Sequence, residues 1–205
     1  MRLLLFISAF LFLVSCFDSQ PKPRSPNELR PSIQAAIAVG DYTKAEKELS
    51  EWITQDSKSF DVWLGRAGTR IFLGDAQGAE EDFNAAVKLD PEKGTKGRFQ
   101  IVDRILWRAR DLDIQGQKAN ALKIYDVLVK LHPKEGMIYH DRGGLKTDLK
   151  DYDGAIIDLT KAIEFDKGNN TYGDSFVLRA RAKRAKGDVA GAAEDEDRAN
   201  LKANK

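Results

Sequence analysis

Apolar and small residues recur along this chain at helical spacing. Trp63, Ala67 and, four further on, Ile71 fall on one face of a helix, with Arg66 and Arg70 among them. Ala79, Phe83 and Ala86 fall on one face of the next. The two patterns meet at Gly74-Asp75 and the second stops before Pro91. Glycine there ends a helix in the left-handed conformation, and aspartate caps the free N–H groups of the following one. The spacing therefore predicts a helix–turn–helix unit between Trp63 and Pro91.

The unit repeats. A small residue after each turn serves as a register mark, at Ala45, Ala79, Ala121, Ala155 and Ala192, with intervals of 34, 42, 34 and 37. The turn five residues before each mark reads Gly40-Asp41, Gly74-Asp75, Gly116-Gln117, Lys150-Asp151 and Gly187-Asp188. Lys150 stands where the others have glycine and is expected to strain or loosen its turn. A second small residue lies twelve before the mark at Ala67, Ala109, Gly143 and Ala180, and a bulky one four after it at Leu49, Phe83, Tyr125 and Leu159. The two surplus stretches, around Gly94–Ile101 and Asn170–Tyr172, are expected to be loops between units. Pro91 and Pro133 are expected to end second helices.

These marks, turns and small–bulky pairs resemble the tetratricopeptide repeat. The resemblance covers about residues 26 to 205 as five units, near 26–59, 60–93, 102–135, 136–169 and 173–205. It implies an all-α, right-handed α–α superhelix of about ten helices that holds a protein partner in its groove. The first unit departs from the pattern at Ile33 and Trp52, and the fifth at Glu196, as terminal repeats do where one face meets water.

Arg66, Arg142 and Arg179 are each followed sixteen residues later by Asp82, Asp158 and Asp195. A buried guanidinium needs a carboxylate from the facing helix, so these are read as structural pairs in preference to an anion site. The third unit has Ile124 after Arg108 and breaks the rule.

The first sixteen residues carry one charge, Arg2, and then an apolar run from Leu3 to Val14. The run is short for a membrane span and fits a secretory signal over 1–15. It ends in Leu13-Val14-Ser15-Cys16, which resembles the lipobox of bacterial lipoproteins. That resemblance implies cleavage before Cys16, the one cysteine in the chain, and its acylation with fatty acid such as palmitate. Phe17 after it leans the expected location towards the outer over the inner membrane of a cell envelope. Residues 16–30, with prolines among polar residues, are expected to be a semi-extended tether leading to the solenoid at 31–205, with Pro31 in the first helical turn.

Once Arg2 leaves with the leader, the 33 basic residues fall to 32, matching the 32 acidic ones. That balance argues against a nucleic-acid partner. The two histidines, His132 and His140, match no metal-binding spacing, and no phosphate loop or nucleophile motif appears. No cofactor, metal or catalytic residue is expected, and the function read is a non-catalytic scaffold or assembly adaptor for an envelope protein or peptide segment. A self-associating structural solenoid is the alternative reading. The corresponding face of the first helices is expected to carry the partner, through Leu64 and Ile71, then Leu106, Trp107, Arg110 and His140, then Arg181 and Arg184. Trp107 points away from its own unit's core, so it either packs on a neighbour or insertion, or faces solvent beside Arg110 as a binding pair.

Overall fold

The computed structural model describes residues 23–166 and 174–203, with the side chains of 202 and 203 left aside. The leader, Cys16 and the surplus stretch at Asn170–Tyr172 lie outside the described residues. Among the described residues ten helices follow one another: α1 Pro26–Ala38, α2 Tyr42–Gln55, α3 Phe60–Leu73, α4 Ala76–Leu89, α5 Pro91–Ile114, α6 Lys118–Leu131, α7 Gly136–Asp148, α8 Tyr152–Phe165, α9 Asp174–Ala185 and α10 Val189–Ala203. Among the described residues there is no strand. The helices pair as five antiparallel hairpins stacked in chain order, an α–α solenoid.

All five register marks are fully buried, from Ala45 to Ala192. They sit where paired helices approach closest. All five turns take the left-handed conformation: Gly40, Gly74, Gly116 and Gly187 have φ between 78° and 89°, and Lys150 has φ 66°. The aspartates after them cap as expected, each accepting from the backbone N–H three residues on, at Lys44, Gly78, Gly154 and Gly191. Lys150 is strained but not loosened. Its turn keeps the same closing bond, Asp151 N–H to the Lys146 carbonyl at 2.9 Å, that glycine gives elsewhere.

The 94–101 surplus is not a loop. It is helical, and it lengthens α5 to 24 residues. Pro91 does not merely end α4. Asp90 caps the new helix by accepting from Lys93 N–H at 2.9 Å, and Pro91 occupies the first position, where its missing N–H costs nothing. The extra turns lie tightly on unit two. A Cβ at Gly94 would stand 2.6 Å from the Ala86 carbonyl oxygen, and one at Gly97 would stand 2.3 Å from the Leu64 side chain. Glycine at both places lets α5 press against α4 and α3.

Residues 26–30, expected to belong to a tether, are helical. Helix α1 starts at Pro26, with Ser25 and Glu28 forming a capping box, and Pro31 lies in its second turn. Arg24 is already docked. Its guanidinium donates to Glu48 and Glu51, both at 2.7 Å, its backbone N–H donates to Glu51, and Gln55 donates to its carbonyl.

Candidate functional site

The arginine–aspartate pairs build the joints between units. Arg66 donates twice to Asp82, at 2.9 and 2.7 Å; Arg142 does the same to Asp158, and Arg179 to Asp195. All three aspartates are buried, and each takes a second cation one helical turn on, from Arg70, Lys146 or Lys183. The remaining arginine nitrogen reaches back to the preceding unit, donating to Ser50, Asp126 or Thr160. An aromatic ring one turn before the arginine lies under the guanidinium: Trp63, Tyr139 or Phe176, at 5.0 to 5.8 Å. Each arginine thus bolts three helices together, which fits a structural role.

The acceptors on the preceding unit, Ser50, Asp126 and Thr160, also follow a fixed offset. Each lies five residues after a register mark. Unit one closes the same position differently. Glu48 stands three after its mark, like Asp82, and receives Ser32 and the incoming Arg24.

Unit three has no such joint. Ile105, Leu112 and Ile124 fill the space with apolar side chains, all buried. Arg108 does not turn inwards as the register suggested. With Ile124 opposite it there is no carboxylate to meet, so it lies exposed and pairs with Asp111 one turn away on its own helix. Arg98, from the α5 extension, reaches unit two in its place. It donates twice to Glu80, at 3.0 and 2.8 Å, and lies 5.0 Å over the Phe83 ring.

The residues expected on the partner face divide. Leu64, Ile71 and Leu106 are core residues, exposed by 5%, 1% and 6%. The α5 extension covers Leu64, and Ile71 and Leu106 pack in the main cluster, so none of the three is available to a partner. Trp107 is 68% exposed with the Arg110 guanidinium 5.2 Å over its ring, the solvent-facing arrangement of the two considered. Arg110 also donates to Asp141 at 2.8 Å, tying α5 to α7. Burial pushes the Asp141 carboxyl up despite that bond. His140 is half-buried, with Nδ1 2.7 Å from the Ser175 hydroxyl, and burial pushes its pKa down. Further along, Lys118 bridges Asp113 and Asp148, and Arg181 adds to Asp148 at 3.2 Å. The Lys118 ammonium holds Asp148 below the usual carboxylate range. Arg184 pairs with Glu196 at the surface. Units three to five are therefore laced together along this face, with Trp107 as its exposed apolar feature.

A second feature was not foreseen. A furrow runs beside α3, between unit one and α5. One wall is apolar: Ile37, Val39, and the stacked rings of Tyr42 and Phe72, 4.3 Å apart. The other wall is α5, with Ile101, Arg104 and Arg108. The furrow is a chain of linked cavities of about 290 to 560 Å³. Its reach beside Lys96, Gly97, Gln100 and Ile101 exists because the sequence surplus is helix, whereas Arg104 and Arg108 belong to the regular part of α5.

Two stretches, 60–93 and 138–169, match the family model of the tetratricopeptide repeat. These two stretches carry the tetratricopeptide repeat pattern. They correspond to units two and four, the described units flanking the apolar joint. The chain is 28% identical over 145 residues to human tetratricopeptide repeat protein 6, covering 71% of this chain and 25% of that protein. It is 31% identical over 133 residues to mouse tetratricopeptide repeat protein 16, covering 62% and 17%. It thus spans a quarter or less of the curated relatives it matches. Similar solved structures include the MamA fragment from Desulfovibrio magneticus RS-1, with 20% identity, TM-score 0.46, and 86% of this chain against 93% of that one. Another is YrrB, described as a tetratricopeptide protein with an unusual peptide-binding site, with 17% identity, TM-score 0.46, and coverage of 83% and 82%. Among the described residues no helix is long and apolar enough to cross a membrane, and no cluster of three His, Cys, Asp or Glu stands ready for a metal.

Proposed function

We propose that this protein is a non-catalytic scaffold that holds a segment of a partner protein on the face of its first helices, and that it is tethered to an envelope membrane by lipid on Cys16. The observation that carries the scaffold reading is Trp107. An indole that packs in no core, braced by an arginine that is itself held by Asp141, is a rigid and exposed anchor of the kind that dominates protein interfaces. The ionisable groups around it are occupied in joints between helices, which suits a rigid platform better than a reacting centre.

Support for the anchor is the lipobox-like Leu13-Val14-Ser15-Cys16 with its sole cysteine. With Arg24 docked on α2, the sequence between Cys16 and the docked domain is Phe17–Pro23. At about 3 Å per residue, seven residues reach roughly 20 Å at most, so lipid on Cys16 would keep the solenoid close to the membrane. The outer membrane is the proposed site, on the phenylalanine after Cys16.

Affinity capture from detergent-solubilised membranes tests the scaffold reading. The wild-type chain should retain a partner that Trp107→Ala loses, with helical circular dichroism unchanged. Equal recovery by both would contradict the assignment. Metabolic labelling with a fatty-acid analogue tests the anchor: wild type should take up label and Cys16→Ala should not.

A further inference from the structure

The furrow between unit one and α5 has one apolar wall and one cationic wall, and the cations are placed in a row. Lys96, Gln100, Arg104 and Arg108 follow at every fourth position along α5, all exposed. Four residues rise about 6 Å on a helix, so Lys96, Arg104 and Arg108 stand along one line, with neutral Gln100 between the first two and Arg108 paired with Asp111. Lys123 of α6 continues it at the turn end. Lys96, Arg104 and Lys123 have no ion pair among the described residues, and they outnumber the acidic side chain that lines the furrow, Asp61 on α3. Opposite them Ile37 is 42% and Val39 81% exposed, beside the Tyr42–Phe72 stack. The floor follows α3 from Phe60 to Phe72, about 18 Å at 1.5 Å per residue.

We propose that this furrow takes an acidic amphipathic helix of about three turns from a partner protein, its apolar stripe on Ile37, Val39, Tyr42 and Phe72 and its carboxylates along the α5 row. This rests on the scaffold reading and names the chemistry of the partner. Charge complementarity selects the occupant. Unpaired cations along one wall are satisfied by a row of Glu or Asp at four-residue spacing, and a basic or neutral apolar segment would leave them facing their own sign or nothing. The apolar wall requires that the same segment carry leucine- or phenylalanine-like residues on its other side. Arg104, at the junction of the apolar and polar reaches, is the central contact.

Selection from a phage-displayed random twelve-residue library tests this, using the full chain in detergent micelles. Arg104→Glu and Val39→Glu both alter exposed positions, and Trp107→Ala is carried in parallel. Selected peptides should be enriched in acidic residues at four-residue spacing interleaved with large apolar ones. Their binding should fall at least tenfold on Arg104→Glu and on Val39→Glu, weaken as salt rises, and survive Trp107→Ala. Peptides without acidic enrichment, or ones indifferent to both furrow variants, overturn the furrow assignment. If those peptides are instead lost on Trp107→Ala, the scaffold reading stands and only the furrow fails. Recovery of no binding peptide at all would overturn both.

Discussion

Units two and three solve one packing problem in opposite ways. In unit two the gap between the paired helices is closed by Arg66, Arg70 and Asp82 with Trp63 stacked beneath. In unit three Ile105, Leu112 and Ile124 close the corresponding gap and the arginine is expelled to solvent. Burying ions is costly and apolar groups of similar volume are often as stable or more so, so the polar joint is not required by the repeat. What it adds is direction. A fork that must meet a carboxylate on one helix and an oxygen on the preceding unit fixes how successive units sit. Unit three lacks that fork, and there the chain adds 24-residue α5, whose Arg98 makes the missing connection back to unit two.

The largest effect that separates the two joints should come from Asp82→Ala. It strands two cations against a buried site and should cost about 3–5 kcal/mol in chemical denaturation. Replacing Arg66, Arg70 and Asp82 together by Leu or Met should recover most of that loss, making unit two resemble unit three. If the triple variant were no better than Asp82→Ala, the joint would be more than an exchangeable packing solution.

Next in size is Gly94→Val. The new side chain meets α4 backbone at 2.6 Å and cannot be accommodated by a rotamer change. Overpacking of this kind costs about 1–3 kcal/mol. A thermal midpoint equal to wild type would mean that α5 does not press on α4. Lys150→Gly should act the other way and more weakly, stabilising by about 1 kcal/mol or less, because the left-handed conformation at φ 66° strains any residue with a Cβ. The same substitution tests whether that turn is as well formed as those with glycine.

A smaller effect concerns pH. Burial lowers the pKa of both His132 and His140 below the ordinary 6.5. Their contribution to stability is therefore present above 6.5 and lost as pH falls through the lower folded values, because the unfolded chain takes up those protons first. Denaturant midpoints should decline between pH 7 and 5, and less steeply in His140→Gln. An unchanged slope in that variant would place His140 in a more solvated setting than the one described.

The sequence reading reached the helix pairs, the turns, the caps and the arginine–aspartate joints because each depends on contacts at a fixed offset within a unit. It failed where the outcome depends on packing between units. The eight surplus residues contain Gly94, Gly97 and Thr95, a composition that reads as loop, yet the two glycines serve close approach to α4 and α3. Leu64, Ile71 and Leu106 sit at positions that face a groove in a regular stack, and the extension of α5 and its neighbours covers them. Arg24 looked like tether until Glu48 and Glu51 were seen to receive it. Helix geometry alone turned Trp107 away from its own unit's core, but whether it packed on a neighbour or faced solvent was set by contacts between units.

The helical extension of α5 decides how much surface this protein has to offer, since it buries the expected stripe at Leu64 and lengthens the furrow past Arg104 to Lys96. Backbone hydrogen exchange across residues 95–101 tests it most directly. Protection comparable to that of α3 is the expected result, whereas exchange at the rate of an unstructured chain would restore a loop at this position, uncover Leu64 and remove the Lys96–Ile101 part of the furrow's second wall.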